Sequence, residues 1–208
     1  MVLATTACGG PSAGSSKSGV VTVIGAPASG QAGQAADAGE PVGACGLERW
    51  AVKTGTDPDA GQIDLNTSTP TTVANLRIIT PPSDLPALNR IKPTETSIFV
   101  VSAELTEFKL ESDSDIHLVL TDSGGYTMIA EIPAPHCVSR SSPFAGGVGN
   151  ARAQFDARYE PTAEFKQAGV PVKIRGVGFF DFQHGQAGVA PNAIELHPVL
   201  DITFPPTA

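Results

Sequence analysis

The chain has 208 residues, a formal net charge of -8 and a hydrophobic fraction of 41%, so it can bury one core of ordinary size. Its 22 Gly and 18 Pro favour short strands and loops over a helical bundle. No segment approaches the roughly 18 consecutive apolar residues of a membrane-spanning helix. Nucleic-acid-binding proteins usually present a basic face, so the acidic charge argues against nucleic acid as a partner.

The segment that ends at Cys8, Leu-Ala-Thr-Thr-Ala-Cys-Gly-Gly, resembles the end of a bacterial lipoprotein signal peptide. The resemblance implies that residues 1–8 are the remnant of such a signal and that Cys8 is lipidated. Thr5 departs from the aliphatic residue usual at its position, and the basic head and most of the apolar segment of a signal are missing. The alternative is a free cysteine in a tail.

Residues 9–43 are mostly Gly, Ala, Ser and Gln with scattered Pro and few charges. Such a segment cannot bury enough apolar surface to offset its ordering entropy. We therefore predict a flexible tether over residues 9–43, which joins a lipid anchor to a single domain over residues 44–208.

The two other cysteines, Cys45 and Cys137, form an even pair once Cys8 is set aside. In an oxidising compartment such a pair favours a disulfide, whereas in the cytosol it would remain two buried thiols. The lipoprotein-like start and the even pair of cysteines both indicate a location outside the cytoplasm. We therefore expect a secreted or lipid-anchored protein outside the cytoplasm, in contact with a membrane only through its anchor.

The domain is predicted to begin with a strand over Leu47–Lys53 and a short helix from Thr71 to Ile79 that Thr69 caps. A long strand follows, and its apolar positions change parity near Glu107, which indicates a β-bulge. Two further alternating strands, a helix that opens at Ser142 and two last strands complete the pattern. These segments are 116–120, 126–132, 142–159, 170–182 and 194–204.

Three strands, a helix and two strands, of which the first is long and bent, is the element order of the OB-fold. We therefore predict a mainly β domain: a five-stranded OB-like Greek-key barrel with one helix between strands 3 and 4. The alternative, a β-sandwich, needs more strands at regular spacing, and the helix between the third and fourth strands argues against it.

Candidate functional residues concentrate between Phe179 and Leu200. His184, Glu195 and His197 offer imidazole and carboxylate ligands for zinc or manganese, a set that could serve a catalytic ion. Asp181 and Asp115 are the candidates for a catalytic base, and no catalytic residue is assigned. Because loops held by two strands often carry binding groups, ligand contacts are expected from Phe182, Gln186 and Asn192.

Each of these residues also has a purely structural explanation. Glu195 and His197, two apart on one strand, are typical of a solvated pair on an exposed face. Asp115 and His117 on the second predicted strand have the same explanation, since they would lie on a strand face open to water. His184 can hydrogen-bond its own turn, and Asn192 after a proline is a turn residue first.

The stretch from Gly178, Gly-Phe-Phe-Asp-Phe-Gln-His-Gly-Gln, continues through Ala-Pro-Asn to Ile-Glu-Leu-His-Pro-Val-Leu. It resembles a motif of uncharacterised secreted bacterial proteins. The similarity extends from about Trp50 to Phe204 and includes Ser112–Leu120 and Met128–Glu131. This resemblance implies one compact domain and carries no activity with it.

Two functional hypotheses follow from the sequence. The first is an extracytoplasmic binding or structural module at the cell envelope, whose ligand contacts the loop 182–193 and the adjoining strand face. The second is a metal-dependent hydrolase of phosphodiesters, with a divalent ion held by His184, Glu195 and His197. In a third, purely structural version of the loop, its polar groups only fix it to the sheet.

Overall fold

The computed structural model describes residues 43–205. The predicted signal remnant with Cys8, and the predicted tether apart from Gly43, lie outside these residues. The helices are α1 (Trp50–Thr54), α2 (Val73–Arg77) and α3 (Ala145–Asp156), with 3-10 turns at Ala60–Gln62, Thr94–Thr96 and Pro135–Cys137. The strands are β1 (Thr69–Thr71), β2 (Ile98–Leu110), β3 (Ile116–Thr121), β4 (Thr127–Ile132), β5 (Lys166–Phe180) and β6 (Ile194–Thr203).

The described chain is mainly β, with one six-stranded sheet in the order β1-β2-β3-β4-β6-β5. Strand β2 also pairs with β5, so the five longer strands pair in a closed cycle. All pairs within the cycle are antiparallel except β4 with β6. The parallel pairing of β4 and β6 places the third and fifth of these strands side by side, and this adjacency builds the site described below.

The expected bulge in the long first strand is confirmed, because the register of β2 shifts between Leu105 and Glu107 against both β3 and β5. Before the shift β2 directs Val101 and Leu105 to the interior, and after it Phe108 takes over. The main core is therefore continuous along a bent strand. Alternate residues of β3 and β4 and four residues of β6 also belong to this core: Ile116, Leu118, Leu120, Met128, Ala130, Ile132, Ile194, Leu196, Val199 and Ile202.

Two predictions for the start of the domain are wrong. The strand predicted over Leu47–Lys53 is replaced by helix α1, which ends at Gly55 in a left-handed conformation, φ 72°, with its N–H donating to the carbonyl of Ala51. Glycine is the residue that adopts this conformation without steric cost, so it terminates the helix. A strand pattern of seven residues cannot be told from a short helix when only one face is buried.

The predicted helix over Thr71–Ile79 is also shorter than expected, and its cap lies further along the chain. Thr69–Thr71 pair in parallel with β2 instead. The helix starts after Thr72, whose hydroxyl accepts a hydrogen bond from the amide of Asn75 at 3.1 Å. Threonine occurs in sequence at three of the four positions before Val73, so composition alone does not choose the capping residue.

The predicted disulfide joins Cys45 to Cys137, with a Cα–Cα distance of 5.5 Å. It fastens the segment before α1 to the turn after β4. Ser114 reinforces the attachment by donating a hydrogen bond to the carbonyl of Ala44 at 3.1 Å. A disulfide is compatible with a location outside the cytoplasm. Within residues 43–205, no helix has the length and apolar character needed to cross a membrane.

Candidate functional site

A group of ionisable residues lies on the face of β3, β4 and β6 opposite the main core. Asp115 and His117 come from the start of β3, Glu131 from β4, and Glu195 and His197 from β6. His117 is directly opposite Glu131 in the β3–β4 register, and Ile129 pairs with Glu195 across β4 and β6. Side chains two apart share a face of a strand, so these five residues form one cluster, which we call the charged centre.

His197 occupies the middle of the charged centre and is fully buried. Its Nδ1 lies 2.9 Å from Glu131 Oε2 and 3.2 Å from Glu195 Oε1. Its Nε2 lies 3.4 Å from Oδ2 of Asp115, which is equally buried. That separation is within ion-pair range, yet neither Asp115 Oδ2 nor His197 Nε2 has a hydrogen-bond partner among the described residues. Buried polar atoms are normally paired, so this pair requires an explanation.

His117 is the second histidine of the charged centre and shares the Glu131 carboxylate with His197. Its Nδ1 lies 3.3 Å from Glu131 Oε1 and 3.4 Å from Glu111 Oε1. Its Nε2 lies 3.0 Å from the backbone carbonyl of Ala187. A carbonyl oxygen only accepts, so Nε2 carries a proton and donates it. The ring also meets Phe165 edge-on, with centroids 5.7 Å apart.

Two segments cover the charged centre. Helix α1 contributes Lys53, whose Nζ lies 3.1 Å from Asp181 Oδ2 and above the ring of Phe179. The loop between β5 and β6, residues 181–193, contributes the Ala187 carbonyl. Phe179 fills the space between helix and sheet and packs against His197 with ring centroids 5.6 Å apart. The charged centre is thus a polar layer enclosed between sheet, helix and loop.

The electrostatic environment shifts the pKa of both histidines upward. Burial acts in the opposite direction and is the largest single influence on each pKa, since it disfavours the charged ring. For His117 the hydrogen bond and the charge of Glu131 overcome burial and raise the pKa. For His197 the nearby Lys53 lowers the pKa further, but the surrounding carboxylates, Asp115 first, hold it well above the usual value. Both imidazoles are stabilised as cations by the carboxylates.

The carboxyl groups divide into two kinds. Burial, followed by the charge of Glu131, raises the pKa of Glu195 to about 7. Burial and the charge of Asp115 likewise raise the pKa of Asp113 to about 7. Burial also tends to raise the pKa of Glu131, but its contacts with the two histidines hold that pKa well below the usual value. Glu131 is therefore the permanent anion around which the centre is arranged.

The structure does not bring His184 together with Glu195 and His197. His184 is exposed, and its Nε2 lies 2.8 Å from the amide of Gln186 in the same loop. Among residues 43–205, two groups place three candidate metal-ligand atoms within 4.8 Å of one another. One is Asp115, Glu131 and His197; the other is Cys45, His136 and Cys137, whose sulfurs are joined in the disulfide.

The polar side chains predicted to contact a ligand make hydrogen bonds within the loop or to the end of α2 instead. The side-chain amide of Asn192 donates to the carbonyls of Leu76 and Ile79, each at 2.9 Å. Gln186 donates to the carbonyl of Phe182 at 3.1 Å. Phe182 keeps 41% of its surface exposed. Asp181, a candidate base, is buried and paired with Lys53 as described above.

The exposed strand faces expected for Asp115, His117, Glu195 and His197 are wrong, since all four are buried. Alternation correctly places each acid–histidine pair on one face, but it does not reveal what covers that face. Glu131 was missed as a member of the centre, although its parity, opposite to Met128, Ala130 and Ile132 of the core, is the signal that could have found it. Lys53 was missed because its segment was assigned to a strand.

The close contact between the loop and β3 gives a test of this enclosure. Gly188 has φ +80°, and a Cβ there would lie 2.6 Å from Val119 Cγ1; Gly185 has φ +85° with open space around it. We expect Gly185→Ala to cost about 1–2 kcal/mol from backbone strain alone. Gly188→Ala should cost about 1–3 kcal/mol more, because an added methyl overpacks the contact. Urea unfolding of both variants measures the difference, and equal losses would show that the loop does not pack on β3.

Comparisons with known proteins add little to this geometry. No family model matches the chain, and no curated protein matches it. Among solved structures the chain is similar to a crystal structure of a putative aspartyl-tRNA synthetase from Leishmania major Friedlin, with 13% sequence identity and a TM-score of 0.40. The similarity covers 68% of this chain and 21% of the synthetase chain. The matched region spans about a fifth of the length of the synthetase chain.

Proposed function

We propose that residues 44–208 form an OB-like binding module that works outside the cytoplasm, anchored by a lipid on Cys8 or secreted. Support for the fold comes from the closed cycle of five strands, the bulged first strand and the helix between the third and fourth of them. Support for the location comes from the Cys45–Cys137 disulfide. OB-folds bind oligosaccharides and oligonucleotides on strand faces and loops.

The alternative of a metal-dependent hydrolase has less support. A catalytic metal ion needs an open coordination position that substrate and water can reach. The residues able to do chemistry here, above all Asp115 and His197, are fully buried and enclosed by α1 and the β5–β6 loop. An enclosed centre of this kind favours a binding module over an enzyme.

The observation that carries the proposal is an open cleft beside the β3–β4 turn, with a volume of about 720 Å³. Tyr126, 51% exposed, forms part of its wall, and Arg77 lies over the ring at 5.1 Å and fixes it. Hydroxyl and carboxylate groups line much of the remainder, together with four residues that lack polar side chains. The polar residues are Thr72, Ser102, Glu104, Thr121, Asp122 and Ser123, and the others are Ala74, Ala103, Gly124 and Pro171. This cleft is the proposed binding surface. The loop 182–193 is not, because its polar side chains are already used in hydrogen bonds to backbone carbonyls.

The chemistry of the cleft fits a neutral saccharide. A half-exposed aromatic ring offers a flat apolar face, and hydroxyl and carboxylate oxygens accept hydrogen bonds from sugar hydroxyls. The carboxylates of Glu104 and Asp122 repel phosphate groups, as does the net charge of -8. The competing surface is the cleft of about 230 Å³ beneath the loop, lined by Pro81, Pro82 and Pro191, with Phe182 exposed nearby on the same loop.

Tyr126→Ala and Phe182→Ala are matched variants, since each removes one partly exposed aromatic ring. Titration of the full chain with neutral oligosaccharides, followed by NMR, should show binding that Tyr126→Ala weakens by about tenfold or more, the loss expected from one stacked ring. Phe182→Ala should bind as the parent protein does. The reverse pattern would place the ligand on the loop, and binding of oligonucleotides instead of sugars would overturn the proposed ligand class.

A further inference from the structure

The two unpaired atoms of the charged centre mark a place for a ligand that the described residues do not supply. Asp115 Oδ2 and His197 Nε2 are buried, without hydrogen-bond partners among the described residues, and 3.4 Å apart. A carboxylate oxygen in this state costs free energy unless a cation or a donor meets it. Both atoms belong to the one group of described residues that combines two carboxylates with an imidazole within 4.8 Å.

The surroundings of His197 determine what its Nε2 offers. On the other side of the ring, Nδ1 faces two carboxylates, at 2.9 Å from Glu131 Oε2 and 3.2 Å from Glu195 Oε1. A metal ion binds the ring through a deprotonated Nε2, so zinc would displace the Nε2 proton while the proton on Nδ1 stays with its carboxylate acceptors. Nε2 and Asp115 Oδ2 would then face each other as two electron-pair donors with a cation between them.

We propose that Asp115, Glu131 and His197, whose ligand atoms lie within 4.8 Å of one another, bind one Zn²⁺ ion, with Asp115 Oδ2 and His197 Nε2 as its first two ligands. Binding requires Glu131 to turn from Nδ1 of His197 to the ion, and Glu195 then keeps the Nδ1 proton. Zinc bonds to oxygen and nitrogen are about 2.0–2.1 Å long, and in a tetrahedron of that size two ligands are about 3.4 Å apart. The observed separation of the two atoms is the same. A mixed set of imidazole and carboxylate suits zinc, whereas calcium takes oxygen ligands only.

Charge and supporting contacts favour the same ion. Five carboxyl groups, those of Asp113, Asp115, Glu131, Asp181 and Glu195, surround the centre, and Lys53 and the two imidazoles carry the opposite charge. When a divalent cation displaces one imidazole proton, the centre gains one positive charge beside carboxylates whose burial is costly. Glu195 acts as a positioning residue, because a carboxylate that accepts the Nδ1 proton orients a metal-bound imidazole.

The site is structural rather than catalytic. Its ligands come from β3, β4 and β6, so the ion ties together three strands of the cycle. Helix α1 and the loop cover it, whereas a catalytic ion needs a coordination position that substrate and water can reach. Zinc bound to the native state alone stabilises that state by mass action, so chelation should lower the melting temperature.

The test uses the full chain without an affinity tag. After treatment with a chelator and dialysis, zinc is added back and its stoichiometry and affinity are measured by elemental analysis and dye competition. One zinc per chain and a chelator-dependent fall in melting temperature are expected. X-ray absorption should show nitrogen and oxygen ligands. Substoichiometric zinc, or sulfur among the ligands, overturns the proposal.

Variants then assign the ligands. Asp115→Asn should weaken zinc binding by about a hundredfold or more, and Glu195→Gln by about 10–100-fold, as for the loss of an orienting carboxylate. His184→Ala, which removes an exposed histidine, should bind zinc as the parent does, and equal losses in His184→Ala and Asp115→Asn overturn the assignment. If Asp115→Asn does not fold, the Glu195→Gln variant provides the test. With Co²⁺ in place of Zn²⁺, this variant should keep the visible spectrum of a tetrahedral ion. Loss of that spectrum would overturn the positioning role of Glu195.

Discussion

Replacing Arg49 with methionine is expected to lower the free energy of unfolding by about 3–5 kcal/mol, the cost of removing one partner from a buried ion pair. Arg49 and Glu95 form a two-point contact, with Nη1–Oε1 at 2.7 Å and Nη2–Oε2 at 2.8 Å. Both side chains are almost completely buried. Methionine fills much of the volume of the arginine stem, so the substitution leaves little cavity. The lost free energy therefore comes mainly from the Glu95 carboxylate and the backbone carbonyls that are left without a donor.

The remaining donors of Arg49 explain why lysine cannot replace it. Its guanidinium also donates to three backbone carbonyls, those of Pro86 at 3.0 Å, Asn89 at 3.1 Å and Phe180 at 2.7 Å. These contacts use the five N–H groups of the side chain. Lysine has three donors and no planar fork, so Arg49→Lys should retain the charge and still lose at least about 2 kcal/mol.

Lys92→Met is the matched control, because Lys92 is half exposed and forms a 3.7 Å ion pair with Asp59. Exposed pairs contribute about 0–1 kcal/mol. Denaturant unfolding of the three variants at constant pH gives the comparison. If Arg49→Met and Lys92→Met lose similar amounts of unfolding free energy, the buried Arg49–Glu95 pair stabilises the fold no more than an exposed ion pair does.

The sequence predicts the sheet better than it predicts the site. The strands of the cycle and the bulge in β2 follow from period-two alternation and its change of parity at Glu107, which are local properties. The charged centre depends instead on the adjacency of β4 and β6, which are about 60 residues apart in the chain. Alternation places Glu131 and His197 on definite faces, but only the strand order makes those faces meet.

Local sequence patterns also do not predict which segments cover the charged centre. An acid and a histidine two apart, as in Glu195 and His197, look the same in sequence whether water or another element covers them. The element that covers the pair is the segment around Arg49 and Lys53. Alternation predicted a strand there, but the segment forms helix α1 over the sheet. An arginine beside a tryptophan at the start of a domain gives no local sign of a distant partner.

Removing the disulfide, by Cys45→Ser with Cys137→Ser or by reduction, is expected to lower the free energy of unfolding by about 4–5 kcal/mol. The two cysteines are 92 residues apart, and closing a loop of this length restricts the unfolded chain by about that amount in the chain-entropy model. The bond also fixes the segment that leads into α1, which covers the charged centre through Lys53. Amides of α1 should therefore exchange faster with solvent in the variant than those of β2.

The design separates a constraint on the unfolded chain from a local effect on α1. Cys8→Ser should match the parent protein, and a reductant should destabilise the parent while leaving the double serine variant unchanged. A loss of only about 1 kcal/mol with rapid exchange confined to α1 would mean that the bond holds the cover and adds little to the sheet. Uniform acceleration of exchange in α1 and β2 would contradict the expected difference and would mean that α1 and the sheet unfold as one cooperative unit.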